Sequence, residues 1–360
     1  MIIQTKKMIM IEYKNIRDVV FKLNPESAHM VAEKLLSAVG SCSFLSSQLS
    51  SRYWSITPML EQELFGKRVL NPVGLAAGYD KDAKALRGLA ALGFGFLELG
   101  TVTPKPQSGN PKPRLFRHIE AKSLQNAMGF NNDGIEAMAK RLKKSYPFSI
   151  PLGLNVGKNK TTPTHNAIED YIECIKRAGD MCDYVVINIS SPNTPNLREL
   201  FNEEFIKELF SRATQETKRD IFLKLSPDMS IDDALFICDV AYKNGAKGFI
   251  ATNTTTEYDL LEGAKDFGGL SGEVLKQKSF LMFKEVAKNY FGRAILISSG
   301  GISSAEDAYL RIKHGASLVQ VYTALIYEGP ALIKSINEGL CELLKKDGFA
   351  SISEAKGSML

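Results

Sequence analysis

Several features that mark other classes of protein are missing from this chain of 360 residues. Its five cysteines are scattered without any C-x-x-C spacing, so neither a zinc site, an iron–sulfur cluster nor a disulfide framework is supported. The four histidines are also far apart, and we predict no metal site. The net charge of +5 is spread along the chain, which gives no reason to expect nucleic acid as a partner.

Signals for membrane insertion or export are also missing. No apolar run approaches the roughly 20 residues that a membrane-spanning helix needs. Residues 1–8 carry two lysines but no sustained apolar segment or cleavage signal, and they are not an arginine-rich transit peptide. We therefore expect reduced thiols and a location on the cytoplasmic side of a bacterium.

What the chain does contain is a regular alternation of short apolar runs and amphipathic helical patterns from about residue 70 onward. The predicted strands are Asn71–Gly78, Phe94–Thr103, Pro151–Gly157, Tyr184–Ser190, Ile221–Ser226, Gly248–Thr254, Ala294–Gly301 and Leu318–Ala324. The predicted helices are Asp82–Leu92, Asp133–Lys144, Ala167–Ala178, Glu203–Lys218, Ile231–Asn244, Leu275–Tyr290, Ala305–His314 and Pro330–Lys346.

Eight strands that are each followed by a helix predict an α/β fold of the (β/α)8 TIM barrel type. The main alternative is an open doubly wound sheet, which usually carries a G-x-G-x-x-G turn after its first strand, and no such turn occurs here. We assign residues 56–360 to the barrel and residues 1–55 to a small helical extension. Within the barrel, Thr103–Arg117 is predicted to be a long ordered loop over one mouth.

The extension is predicted to contain two short helices. Asn24 and Pro25 are typical of a helix start, the first helix stops at Gly40, and a second segment covers Cys42–Tyr53. Two helices of this length bury little apolar surface against each other, so their inner face must meet the barrel, a ligand or a membrane. Docking on the barrel and insertion into a lipid interface both remain open.

Polar residues gather where the predicted strands end, which is where barrel enzymes carry their catalytic groups. The segment Asn188–Thr194 follows the apolar run Tyr184–Ile187 and contains hydroxyls and amides, although the same residues also form ordinary turns. Lys224 lies between two leucines, and a buried lysine needs a compensating charge or a function. Lys224 would suit either a Schiff-base nucleophile or a cation that faces an anionic cofactor.

The last two strand ends predict a phosphate site. Gly300 and Gly301 precede a helix start at Ser304, and Val321–Thr323 ends the eighth strand. Free backbone N–H groups at such positions bind phosphate, and in many barrels the loops after strands seven and eight do so. Together with the small residues of Gly74–Asp82, this pattern suits a flavin mononucleotide, with Lys224 near its ring.

Taken in order, these motifs resemble the dihydroorotate dehydrogenase family, and within it the quinone-linked, membrane-associated class. The resemblance covers essentially the whole chain, and its most specific segments are Gly74–Asp82, Gly100–Pro104, Asn126–Asn131, Asn155–Lys158, Asn188–Thr194, Ala251–Thr255, Gly268–Gly272 and Gly300–Ile302. Ser191 stands where a cysteine would indicate the soluble classes.

The resemblance implies that FMN oxidises (S)-dihydroorotate to orotate in pyrimidine synthesis. Ser191 would be the base that takes the C5 proton as hydride leaves C6, with Phe130 and Thr194 forming a proton exit through a water. Substrate contacts would come from Lys81, Asn126, Ala127, Met128, Gly129, Phe130, Asn188, Asn193, Asn253 and Thr254. FMN contacts would come from Ala77, Gly78, Thr101, Asn155, Asn188, Lys224, Thr252, Gly272, Gly301, Tyr322 and Thr323.

The resemblance also implies that residues 1–55 form an apolar tunnel for a membrane quinone and sit on the membrane surface. We accordingly expect a monomer bound peripherally to the cytoplasmic side of a bacterial cell membrane. Two other functions compete with this one: a Schiff-base aldolase or synthase that uses Lys81 or Lys224, and a non-catalytic protein that only binds flavin or phosphate.

Overall fold

The computed structural model describes residues 13–360, and eight parallel strands close into a barrel within them. The strands are β1 (Val73–Leu75), β2 (Phe96–Val102), β3 (Leu152–Val156), β4 (Tyr184–Asn188), β5 (Asp220–Lys224), β6 (Gly248–Ala251), β7 (Ile295–Ser299) and β8 (Leu318–Val321). Each strand pairs with the next along the chain, and β8 closes the barrel on β1 through Val319 and Val73. The prediction of a (β/α)8 barrel is confirmed.

The amino-terminal half of the barrel is filled by side chains. Phe96, Tyr184 and Phe222 point inward and are completely buried. The ring of Phe65, in a turn below the barrel, stacks on Tyr184 with ring centroids 4.6 Å apart. Because this end is packed with apolar groups, ligands must bind at the opposite end, where the strands finish.

Thirteen α-helices are present in the described residues. They are α1 (Tyr13–Val20), α2 (Pro25–Ser41), α3 (Ser43–Tyr53), α4 (Leu86–Ala90), α5 (Ile135–Leu142), α6 (Ala167–Ala178), α7 (Glu203–Glu216), α8 (Ile231–Lys243), α9 (Lys276–Tyr290), α10 (Ala305–Lys313), α11 (Thr323–Glu328), α12 (Leu332–Asp347) and α13 (Ile352–Ala355). The helices α1, α11 and α13 were not predicted from the sequence.

Several predicted boundaries of strands and helices near the barrel mouth are wrong. The predicted eighth strand runs to Ala324, whereas Thr323 already begins α11. The predicted helix from Asp82 begins only at Leu86, because the buried carboxylate of Asp80 organises the preceding turn. That carboxylate accepts hydrogen bonds from the backbone N–H groups of Lys84 (2.8 Å) and Ala85 (2.9 Å).

A small antiparallel sheet covers one side of the barrel mouth. It joins Leu115–His118, Ser123–Asn126 and Gly269–Gly272, so the predicted loop Thr103–Arg117 ends in a strand. The central strand pairs with both neighbours, with Gln125 opposite Phe116 on one side and Leu270 on the other. This sheet carries Asn126 and Gly272 to the mouth.

The described part of the amino-terminal extension lies against the barrel. Helix α2 begins as predicted, with the Asn24 side chain accepting hydrogen bonds from the N–H groups of Glu26 and Ser27. It crosses α4 closely at Gly40 and Gly88, where a Cβ on Gly88 would lie 2.1 Å from the Leu36 carbonyl oxygen. Among residues 13–360, no helix is both long and apolar enough to cross a bilayer.

Candidate active site

A large cavity opens at the carboxyl ends of the barrel strands. It holds about 1430 Å³ of space, solvent at its opening included. The predicted site residues that line it are Ala77, Gly78, Lys81, Thr101, Asn126, Met128, Gly129, Phe130, Asn188, Ser191, Asn193, Lys224, Thr252, Asn253, Thr254, Gly272, Gly301, Tyr322 and Thr323. Residues from all over the chain therefore meet at one place.

Three predicted site residues, Ala127, Asn155 and Thr194, are not part of this lining. Asn155 lies behind it, where its Oδ1 accepts a hydrogen bond from Asn188 Nδ2 at 3.1 Å. The Ala127 carbonyl accepts a hydrogen bond from Asn110 Nδ2 at 3.0 Å, so its backbone braces the wall. Thr194 is buried in the loop after β4.

A buried ion pair forms the floor of the cavity. The Nζ of Lys224 lies 3.2 Å from Glu98 Oε1, and the two side chains are 6% and 0% exposed. Asn155 Nδ2 donates to the same carboxylate at 2.7 Å, and Gln320 Nε2 donates to its other oxygen. The compensation that Lys224 requires thus comes from Glu98, which the sequence signalled only as an acidic residue inside an apolar strand.

Amide side chains form one wall of the cavity. Asn253 Nδ2 donates to Ser190 Oγ at 2.9 Å, and Ser190 Oγ donates to Asn188 Oδ1 at 3.1 Å. Across the opening, Asn193 Nδ2 donates to Asn126 Oδ1 at 3.0 Å. The Oδ1 atom of Asn193 is buried and has no partner in the described chain, so it is available to a donor group of a ligand.

Ser191 lies in the loop after β4 and is 5% exposed. Its Oγ accepts a hydrogen bond from the Asn193 backbone N–H at 3.2 Å. Within residues 13–360, no histidine, lysine or carboxylate forms a hydrogen bond with this hydroxyl. The Thr194 Oγ1 atom nearby along the loop is buried and lacks a partner in the same part of the chain. Such a hydroxyl suits a bridging water.

Lys81 projects into the cavity from the turn that Asp80 organises. No carboxylate of the described residues lies within ion-pair distance of its ammonium group. Burial lowers its pKa from the ordinary value, and the charges of Glu33 and Asp82 only partly oppose that effect. The residue is half-buried, and an ammonium group partly removed from water without a direct partner is costly, so this lysine suits a ligand that carries a negative charge.

A second cluster of ion pairs, which was not predicted from the sequence, fixes the loops that carry the amide side chains. Arg198 donates through Nε to the Ser190 carbonyl and through Nη2 to the Thr254 carbonyl, each at 3.0 Å. Its Nη1 lies 2.8 Å from Asp228, which Lys278 also contacts at 2.8 Å. Hydrogen bonds from Lys278 and its neighbours hold the pKa of Asp228 well below its usual range, against the opposing effect of burial.

The residues present fit a flavin. Ala76, Ala77 and Gly78 provide a wall of small residues against which a flat ring can lie. Lys224 supplies a positive charge, and the Oε1 atom of Gln320, which also lines the cavity, is buried without a partner in the described chain. Gly301 provides a backbone N–H at the other end, beside the start of α10.

An apolar cavity lies between the amino-terminal helices and the barrel. Its walls include Ala28, Ala32, Leu36, Val39, Leu49, Tyr53, Leu325 and Ile326. It shares His29, Leu115, Leu124 and Tyr322 with the active-site cavity, so the two spaces adjoin. Burial, followed by the charge of Lys81, lowers the pKa of His29 to about 4, which keeps its ring neutral near pH 7.

Fold and site together define a flavin-dependent barrel oxidoreductase, and comparison with known proteins agrees. The family model described as dihydroorotate dehydrogenase matches residues 59–344. A dihydroorotate dehydrogenase (quinone) from a Nitratiruptor species is 57% identical over 96% of this chain and 99% of that protein. One from Helicobacter acinonychis (strain Sheeba) is 47% identical over 97% and 99%.

Solved structures show the same likeness. The crystal structure of an Eimeria tenella dihydroorotate dehydrogenase in complex with ferulenol matches with a TM-score of 0.83 and 34% sequence identity. That match covers 97% of this chain and 99% of the other. The chain therefore belongs to the dihydroorotate dehydrogenase family.

Proposed function

We propose that the chain catalyses the quinone-linked oxidation of (S)-dihydroorotate to orotate, a step of pyrimidine biosynthesis, with FMN as its flavin. The observation that carries this proposal is the pair of adjoining cavities. One contains the amide side chains, a buried serine and a lysine that has no ion-pair partner among residues 13–360, and the other is apolar and lies beneath the amino-terminal helices. A polar substrate and a lipophilic acceptor can thus reach opposite sides of one flavin.

The substrate is a ring of amides that carries a carboxylate. Lys81 binds the carboxylate, which relieves the cost of its buried charge. Asn126, Asn188, Asn193 and Asn253 match the donors and acceptors of the ring, because an amide side chain offers both. The remaining proposed contacts, from Ala127, Met128, Gly129, Phe130 and Thr254, complete the enclosure.

Ser191 acts as the base. The C5–H bond of dihydroorotate breaks and the proton passes to Ser191 Oγ, which releases its own hydroxyl proton to a water. The electron pair of that bond forms the C5=C6 double bond as hydride leaves C6. A bound flavin supplies the hydride acceptor and the route by which two electrons reach the quinone. The released proton leaves along Phe130 and Thr194 through that water, for which the Thr194 hydroxyl, without a partner in residues 13–360, provides a site.

Residues 1–55, of which the structure describes 13–55, are the proposed quinone extension. Helix α2 turns Ala32, Leu36 and Val39 toward the apolar cavity. Its Leu35, which also lines that cavity, is 62% exposed, and Phe44 of α3 is 67% exposed. Exposed apolar groups on short helices suit the interface of a membrane, with the protein bound peripherally as a monomer on the cytoplasmic side. The quinone then enters the cavity from the lipid and approaches the flavin past His29 and Tyr322.

Anaerobic stopped-flow spectroscopy tests the proposal. Dihydroorotate is expected to bleach the flavin without any added reductant, and long-chain quinone is expected to restore its colour faster than fumarate or NAD. A flavin that stays oxidised would show that the protein only binds flavin and does not catalyse this reaction. Trapping of substrate on Lys81 or Lys224 by borohydride would instead support a Schiff-base enzyme.

A further inference from the structure

Arg311, on α10, is a buried cation that the proposed chemistry does not use. Its Nη2 donates hydrogen bonds to the Lys276 carbonyl (2.9 Å), Ser279 Oγ (3.0 Å) and the Gly300 carbonyl (3.2 Å). Its guanidinium lies over the Phe280 ring, 4.7 Å from the centroid. Its Nη1 has no hydrogen-bond partner within the described residues.

No carboxylate of the described chain lies within ion-pair distance of this guanidinium. The nearest acidic group that acts on it is Asp307, one turn earlier on α10, which pairs with Lys276 at 3.0 Å. Lys276 also pairs with Glu273 at 2.7 Å. Burial lowers the pKa of Arg311 to about 10, which still leaves it charged at neutral pH. A charge kept in this environment needs a reason, because an uncompensated buried ion is strongly destabilising.

The contact with Gly300 fixes the direction of one peptide group. In a planar trans peptide, the carbonyl and the N–H point in opposite directions. Arg311 and Ser279 both donate to the Gly300 carbonyl from the side of α9 and α10. The N–H of Gly301 in the same peptide group therefore points away from these helices. Gly301 lines the cavity, and no acceptor for its N–H occurs among the residues described.

The structure leaves no room for a side chain at Gly301. Gly301 has φ +69°, and a Cβ there would lie 2.4 Å from the Lys276 Cα. Arg311 holds the carbonyl of that same Lys276, so one guanidinium joins the loop after β7 to the first turn of α9. The loop backbone is thus held against the start of α9. The Gly301 N–H cannot turn toward α9 and α10 without breaking these contacts.

We propose that Arg311 is a positioning residue for the phosphate of the flavin. It holds the Gly300–Gly301 peptide so that the Gly301 N–H faces the phosphate, and its own buried charge favours a dianion at that end of the cavity. The inference rests on the proposed use of FMN. It predicts that Arg311 sets the preference for a phosphorylated flavin and leaves the ring site unaffected.

Competition between FMN and riboflavin tests this directly, because the two share a ring and differ in the phosphate. The full-length holoprotein is dialysed to equilibrium against mixtures of both flavins, and the bound ratio is measured by chromatography. Arg311→Met is expected to lower the preference for FMN by about 10–100-fold, as for loss of charge-assisted hydrogen bonds. Arg311→Lys keeps the positive charge but lacks the planar guanidinium group. Its preference for FMN is expected to lie between those of Arg311→Met and wild type.

A purely structural role would weaken both flavins equally and leave the ratio unchanged in both variants, and that result overturns the proposal for Arg311. If wild type itself shows no preference for FMN, the assignment of FMN fails, and this inference fails with it. Should Arg311→Met not fold, the ratio in Arg311→Lys decides alone. Arg293→Lys, at an exposed cation that stacks on Tyr242, serves as the control and is expected to keep the wild-type ratio.

Discussion

The barrel mouth and the amino-terminal helices differ in the kind of side chain that they bury and expose. At the mouth, polar groups are buried and already bonded: Glu98 pairs with Lys224, and Asn155 joins Glu98 to Asn188. On the helices, apolar groups such as Leu35 and Phe44 are exposed. Hydride and proton transfer require atoms held to within about 0.5 Å, whereas a lipid surface requires only apolar area.

We propose that the two regions serve different half-reactions. The mouth is held by long-range contacts, for example Arg198 binding the loops after β4 and β6 together. The helices contact the barrel mainly along α4, for example through Trp54 Nε1 and the Ala90 carbonyl, and through the ion pair of Glu26 with Arg114 at 2.7 Å. We therefore expect changes at the mouth to affect substrate oxidation, and changes on the helices to affect quinone reduction.

The largest effect is expected from Ser191→Ala. Loss of a general base typically slows a reaction by about 10²–10⁴-fold. Flavin reduction by dihydroorotate in the stopped-flow instrument should slow by that factor, while flavin content and quinone reoxidation stay unchanged. Reduction at the wild-type rate would exclude Ser191 as the base.

Glu98→Gln tests whether the floor of the mouth depends on its ion pair. The change leaves the Lys224 charge buried without a counter-charge, which typically costs about 3–5 kcal/mol of stability. The urea midpoint should fall accordingly. Glu136→Gln breaks the exposed pair with Arg177 and should leave the midpoint nearly unchanged. Equal midpoints in the two variants would show that Glu98 does not compensate Lys224.

Lys81→Met should weaken orotate binding by about 10–100-fold, because a charged hydrogen-bond partner is lost. Burial lowers the pKa of Lys81, so the ammonium form loses its proton at a lower pH than an exposed lysine does. Orotate affinity should therefore be full at low pH and decline as the pH rises through this lowered pKa. The decline should disappear in Lys81→Met, and its persistence there would assign it to another group.

The smallest effect is expected on the helices. Phe44→Ser removes an exposed aromatic group and should weaken binding to lipid vesicles by about tenfold, as expected for roughly 1.5 kcal/mol of lost apolar burial. Phe236→Ser is the matched control, since Phe236 is 52% exposed on α8 of the barrel. Vesicle sedimentation measures both variants. Equal losses would show that the membrane contacts the protein elsewhere.

The barrel was predictable because its strands are buried on both faces and therefore appear as apolar runs. Phe96–Val102 and Tyr184–Asn188 are examples, and every residue in both is buried. Motif order also indicated most of the residues that line the cavity, including Ser191 and Lys81.

Other features depend on contacts between distant segments, which local patterns do not reveal. Glu98 and Lys224 are 126 positions apart, and Arg198 resembles any surface arginine until Asp228 is placed beside it. The three strands over the mouth are each four residues long and pair only because the barrel brings them together. Arg311 likewise appeared as an ordinary helix residue.

Separate measurement of the two half-reactions in Ala32→Trp tests the central claim most directly. Ala32 lines the apolar cavity and is not part of the active-site lining, so a tryptophan there should obstruct the quinone alone. We predict that dihydroorotate reduces the flavin at the wild-type rate and that long-chain quinone reoxidises it at least tenfold more slowly. Unchanged reoxidation, with the variant folded, would contradict the account.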